Sequence, residues 1–284
     1  MRLVRFGEPG SEKPGILDAD QNIRDASAVV DDWNGAAITS ERLAQIRAVD
    51  LSTLPVVHDN PRLGPPIANV RTFIGIGLNY SDHALESGMD IPTEPIVFLK
   101  APGSICGPMD AIEKPLDSMK LDWEVELAIV IGKTAKYVDE ATAMHYVAGY
   151  TICNDVSERY FQLERLGQWT KGKSHDTFGP LGPYLVTEDE VADVSNLSMW
   201  LDVNGERRQT GSTSKMIFKV PELVAYLSRV MTLQPGDVIT TGTPPGVGMG
   251  MTPPVYLEVG DVVTLGIEGL GQQRQEVKKA SHND

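Results

Sequence analysis

Two glutamates, Glu124 and Glu126, stand one residue apart at the head of an apolar run, Leu127-Ala128-Ile129-Val130-Ile131. β-Branched and apolar residues at this density favour a strand over residues 123–131. Alternate strand residues share a face, so the two carboxylates project side by side, about 7 Å apart at the backbone. Beside a buried run they repel each other, and one must hold a proton unless a cation sits between them. Carboxylate oxygens suit Mg²⁺, Mn²⁺ or Ca²⁺ rather than a thiolate-seeking metal. The segment alone serves a second reading equally well, a strand edge with two glutamates on its solvent side.

A third ligand would decide between them. Asp155 follows an apolar strand expected over residues 146–154, in Cys153-Asn154-Asp155-Val156-Ser157. An aspartate at a strand end can turn toward the neighbouring strand, or it can cap the next helix. By itself it settles nothing.

The rest of the chain predicts a β-rich α+β fold. Leu3, Val4 and Phe6 suggest an opening strand, and residues 15–23 a turn and a second strand. Ser40 could cap a short helix over 41–49. The breaker cluster at 60–66 then places a boundary, giving a small α/β N-terminal domain over 1–68 and a catalytic domain over 69–284. Further strands are expected over 71–78, 238–241 and 262–267, the last two each after a Pro-Gly-Asp or Val-Gly-Asp turn, which suggests a β-roll or barrel. Helical character is expected over 139–144 and 157–166, and Pro221 opens an apolar helical stripe ending at Val230 and Met231. Strands and helices do not alternate, so a doubly wound sheet is a poor fit.

With 25 Lys and Arg against 39 Asp and Glu, the net charge of -14 argues against a nucleic-acid surface. No apolar run is long enough for a membrane span, and the first residues lack a signal-peptide core, so a cytoplasmic protein is expected. Cys106 and Cys153 form no paired motif and read as free thiols. Residues 167–174, GQWTKGKS, match the phosphate-loop pattern letter for letter. That loop must follow a buried strand and open a helix, and here a polar segment precedes it and Pro180 and Pro183 soon follow. Gly75-Ile76-Gly77 begins like a dinucleotide fingerprint, but Tyr80 stands where the third glycine should be.

His83 and Glu86, three apart at the start of an expected helix, share a face. A glutamate beside a histidine fixes its tautomer and raises its basicity, which suits activation of water. An ordinary surface pair has the same spacing.

Several blocks taken together resemble the fumarylacetoacetate hydrolase family. They are GLNYSDH at 77–83, PIVFLK at 95–100, WEVELAIVIG at 123–132, NDVSERYFQ at 154–162, GKSHDTFGP at 172–180 and TGTPPGVG at 241–248. They keep the family's order from about residue 70 onward, and the N-terminal part carries little of the likeness.

The resemblance implies Mg²⁺ or Mn²⁺ bound by Glu124, Glu126 and Asp155, a β-roll core and a homodimer. It implies that His83 and Glu86 orient a water on a short mobile helix, with residues 87–94 as part of a lid. Around the substrate it places Tyr80, Lys100, Arg159, Gln162 and Thr243, with Lys173 as the catalytic cation. The implied reaction is hydrolysis of a C–C bond in a 2,4-dioxo acid to pyruvate and a second acid. The nearest likeness is to members acting on 2,4-dioxo-3-deoxy sugar acids derived from rhamnonate or fuconate. Acylpyruvate hydrolysis, oxaloacetate decarboxylation and hydration or isomerisation of 2-oxo-enoic acids use related chemistry. A non-catalytic small-molecule binder is the alternative outside enzymes, and it has no need of a His–Glu pair.

Overall fold

The structure is a computed structural model, and residues 1–82 and 90–281 are described. His83 and Glu86 lie outside the described residues.

The apolar run that begins beside Glu124 and Glu126 lies inside the larger sheet. Val125–Ile131 is buried at every position. It pairs antiparallel with Val147–Asn154 on one side and Val238–Thr240 on the other. A strand covered on both faces has no use for polar alternation, which is why Leu127 to Ile131 carry none. Phe73–Gly77 lies parallel to Val238–Thr240, and Ile96–Lys100 forms the edge beyond it. In the other direction come Gly179–Thr187, Arg2–Phe6, Lys13–Leu17 and Ile23–Asp25.

The first 68 residues, expected as a small unit of their own, extend this sheet. Arg2 pairs with Val186 and Leu3 with Leu185. Trp33, Ile38 and Ile46 are buried in one cluster with Phe73, Val130, Ala148 and Leu185. The helix Ser40–Arg47 forms where expected, but Thr39 rather than Ser40 caps it, its hydroxyl accepting from the Arg42 amide.

A second sheet runs in the order Glu206–Ser212, Ser198–Val203, Val262–Ile267, Gly271–Lys279, Ile112–Lys114. The two turn-then-strand patterns of the sequence therefore serve different sheets. The helix Val220–Val230 buries Leu223, Val224 and Leu227 on one face and has Pro221 in its first turn, where no amide partner is needed. Val230, the stripe's last helical member, points to solvent instead.

One expectation is corrected. Residues 157–166 are not one helix. Ser157–Glu158 is a short strand paired with Leu121–Asp122, and a single π-type turn follows over Tyr160–Glu164. The buried Glu158 carboxylate accepts from the amides of Met119, Lys120 and Phe161. That tertiary tie overrides the local apolar spacing. The phosphate-loop string folds as expected of a chance match, with one helical turn at Thr170–Lys173. The chain is thus a sheet-rich α+β protein, its two cysteines unpaired. No helix among the described residues is long and apolar enough to cross a membrane.

Candidate metal centre and active site

Glu124 and Glu126 leave the head of Val125–Ile131, and Asp155 follows Val147–Asn154. The antiparallel register sets Val125 opposite Asn154, which brings Asp155 across from Glu124. The Asp155 amide donates to the Glu124 carbonyl at 2.9 Å. Each of the three residues offers a carboxylate oxygen within 4.8 Å of the others, and no comparable His, Cys, Asp and Glu group occurs among the described residues. All three are buried. Asp155 caps no helix; its carboxylate faces inward.

Lysines and an arginine hold the group together. Lys173 Nζ donates to Glu124 Oε2 at 2.9 Å and to Asp155 Oδ2 at 2.7 Å. Lys100 Nζ donates to Asp155 Oδ1 and to the Lys173 carbonyl. Arg159 spans Glu124 Oε1 at 2.6 Å, Asp122 Oδ2 at 2.8 Å and Gln162 Oε1 at 3.0 Å. Among the described residues no cation pairs with Glu126 in this way. Its Oε2 accepts from the Gly242 amide at 2.8 Å, from a glycine whose φ of 89° suits a residue without Cβ.

The electrostatics follow from this unequal sharing. Burial alone would raise the Glu124 carboxyl, but the Lys173 and Arg159 charges outweigh it and hold the group below its ordinary range. Burial pushes the Glu126 carboxyl well up, and the Asp155 and Glu124 charges push it further. Burial would discharge Lys173, yet Asp155 and Glu124 keep it charged above its usual value. Four buried carboxylates, counting Asp122, face the buried Lys100, Lys173 and Arg159. With all four ionised they would carry one negative charge in excess, which a divalent cation would turn into one positive charge, and that suits an anionic substrate. Three hard oxygen donors, one of them without a cationic partner among the described residues, fit Mg²⁺ or Mn²⁺.

A cavity of about 90 Å³ opens on this group, lined by Glu124, Glu126, Arg159, Gln162, Lys173 and Thr243 together with apolar walls that include Phe98 and Trp169. Four of the six expected contact and catalytic residues that are described therefore meet there. Lys100 stands behind them, spent on Asp155 and the Lys173 carbonyl. Tyr80 does not line the cavity. It is fully buried and its hydroxyl donates to Met199 Sδ at 3.2 Å. Thr243 lines the cavity, but its hydroxyl donates to the Val125 carbonyl at 2.9 Å.

Asp122 escaped the sequence reading. Fully buried, it accepts from Arg159, from the Trp123 amide and from the Gly248 and Met249 amides at 2.7 and 3.0 Å. The alternation that selected Glu124 and Glu126 passes through position 122 and could have found it.

A family model described as the C-terminal part of fumarylacetoacetate (FAA) hydrolase matches residues 72–278. A Burkholderia multivorans protein provisionally named a hydrolase is 60% identical over 281 residues, covering 99% of this chain and 100% of that protein. Three solved structures each cover 99% of this chain and are themselves covered in full. They are a fumarylacetoacetate hydrolase from psychrophilic Exiguobacterium antarcticum (40% identity, TM-score 0.87), a 2-hydroxyhepta-2,4-diene-1,7-dioate isomerase from Mycobacterium marinum (34%, 0.75), and a maleylpyruvate hydrolase from Sphingobium sp. SYK-6 in complex with manganese(II) and pyruvate (29%, 0.83).

Proposed function

The chain belongs to the fumarylacetoacetate hydrolase family, and on that premise we propose that it is a divalent-metal-dependent hydrolase of 2,4-dioxo acids. Water adds to carbon 4, the bond between carbons 3 and 4 breaks, and its electron pair leaves on carbon 3 as the enolate of pyruvate. Carbon 4 becomes the carboxyl of the second product. The observation that carries this reading is the buried group of Glu124, Glu126 and Asp155, of which Glu124 and Glu126 line a cavity together with the charged Lys173.

A bound Mg²⁺ or Mn²⁺, held by Glu124, Glu126 and Asp155, would supply Lewis-acid polarisation of the 2-oxo group. Lys173 offers a fixed positive charge to the developing enolate. Arg159 and Lys100, both committed to carboxylates, hold the ligand side chains in place. Gln162 lines the same wall and is oriented by Arg159. His83 and Glu86 are assigned from the sequence to take the proton of the attacking water.

The finer substrate reading, a 2,4-dioxo-3-deoxy sugar acid, rests on sequence resemblance, as do a homodimer and the choice of Mg²⁺. Acylpyruvates and oxaloacetate share the enolate leaving group. The similarity to the Mycobacterium marinum isomerase supports a second reading, isomerisation or hydration of a 2-oxo-enoic diacid without C–C cleavage.

Pyruvate release from 2,4-dioxo acids, followed with a lactate dehydrogenase couple, tests the proposal. Release that needs Mg²⁺ or Mn²⁺, stops with EDTA and is lost in Glu126→Gln supports it. Release that survives EDTA or Glu126→Gln sinks the metal mechanism. Loss of a 2-oxo-enoic acid's absorbance with no pyruvate from any dioxo acid selects the isomerase reading.

A further inference from the structure

We propose that Gln209, a residue of the second sheet, is a positioning residue for the metal-ligating carboxylates. The inference rests on the metal-site part of the proposed function and not on the identity of the substrate.

Val125 is the residue between two of the ligands, so the peptide planes on either side of it set the directions of Glu124 and Glu126. Sheet pairing holds these planes from one side only, where the ladder with Val147–Asn154 runs through Glu126 and Val125. On the side facing Val238–Thr240, the ladder ends at Ala128. Beyond that point the strand's polar groups must find other partners or remain unpaired in the interior, at a cost of about 1–3 kcal/mol each.

Gln209 and Thr243 supply them. The Val125 amide donates to Gln209 Oε1 at 3.0 Å. The Val125 carbonyl accepts from Thr243 Oγ1 at 2.9 Å. Gln209 Nε2 closes the ring, donating to Thr243 Oγ1 and to the Pro244 carbonyl, both at 2.8 Å. Gln209 thereby fixes the plane before Val125 directly and the plane after it through Thr243, with the oxygen and nitrogen of its fully buried amide both engaged.

The loop that carries Thr243 is pressed onto the Gln209 strand. Gly246, at φ 101°, lies so close that a Cβ there would sit 2.0 Å from the Arg208 carbonyl oxygen. The Trp123 indole donates to the Gly246 carbonyl at 3.1 Å, tying the same loop to the residue before Glu124. Asn154 helps from the opposite strand, accepting from the Glu124 amide at 3.2 Å. On the side where its ladder has ended, the ligand strand is thus held at the backbone by side chains, Gln209 and Thr243. Gln209 is the one that joins the ligand strand, the Thr243 loop and the second sheet.

A merely structural Gln209 would affect melting temperature alone; a positioning Gln209 also sets metal affinity. The test is Mn²⁺ titration calorimetry, without substrate, on the full-length wild type, Gln209→Met and Gln209→Glu. Leu43→Ala, in the helix Ser40–Arg47, serves as a control for loss of stability. Gln209→Met should weaken Mn²⁺ binding about 10–100-fold, the usual cost of losing an outer partner of a metal ligand. Gln209→Glu keeps the acceptor for Val125 and loses the donor to Thr243, so it should fall between. Leu43→Ala should bind Mn²⁺ as the wild type does.

Should Gln209→Met not fold, Gln209→Glu against the control gives the answer. A folded Gln209 variant whose Mn²⁺ affinity drops no more than the control's overturns the inference, as does a wild type that binds no Mn²⁺. A wild type that binds Mn²⁺ but yields no pyruvate removes the hydrolase reading, while the Gln209 comparison still decides this one.

Discussion

The Asp155 main-chain amide donates to the Glu124 carbonyl at 2.9 Å, so the third acidic residue is fastened to the first by backbone as well as through the Lys173 side chain. The bond continues the antiparallel register that pairs Val125 with Asn154. Changing either carboxylate alters charge and coordination at a site whose backbone tie stays intact.

Asp155→Asn isolates that difference. The carboxylate accepts from both Lys100 and Lys173, all three groups buried. Breaking a buried ion pair from one side costs about 3–5 kcal/mol. Urea unfolding of the metal-free protein should show a loss of that order, and Mn²⁺ affinity should fall by more than the roughly 100-fold upper cost of an outer partner.

The raised Glu126 carboxyl predicts a pH dependence with a defined sign. The metal-free folded chain holds that proton above the ordinary glutamate value of 4.5, whereas the unfolded chain releases it there. The folded state thus binds more protons, and this contribution to stability is lost as pH rises from 4.5 through the raised folded value. Metal binding must displace the same proton. Affinity should climb with pH over that window, and calorimetry in buffers of different ionisation enthalpy should register proton release. Glu126→Gln should abolish this part of both dependences.

Lys173→Met should leave a chain that still binds substrate but cleaves slowly. Loss of a fixed donor to developing negative charge costs about 10²–10³ in kcat. Lys173→Arg should not restore the rate, because a planar guanidinium cannot place a point charge between Glu124 and Asp155. Steady-state pyruvate release measures both.

Asp122→Ala should act on stability and on KM together. It frees one side of the buried Arg159 and leaves the Gly248 and Met249 amides without their acceptor. A loss of about 3–5 kcal/mol is expected in urea, with a raised KM as the wall formed by Arg159, Gln162 and Met249 loosens.

What the sequence made visible was local. Period-two spacing marked Glu124 and Glu126, and the apolar run after them marked a strand covered on both faces. Asp155 stayed ambiguous because strand register is a tertiary property; only the pairing of Val125 with Asn154 brings it to Glu124. Gln209 was invisible for the same reason, since its partners Val125 and Thr243 lie far away in sequence. The helical character expected over 157–166, met only by the π-type turn at Tyr160–Glu164, shows the converse. Its apolar spacing was real, but the buried Glu158 and the pairing with Leu121–Asp122 commanded the backbone. Lys100 and Thr243 were expected around a substrate and are engaged by the protein itself, a distinction of distance that spacing cannot express.

Glu124, Glu126 and Asp155 are proposed together as the ligands of the catalytic metal. Anomalous scattering from crystals grown with Mn²⁺ tests this most directly. One peak in contact with all three carboxylates, absent from Glu126→Gln crystals grown alike, is the result expected. A peak at other residues, or one that persists unchanged without the Glu126 carboxylate, would contradict it.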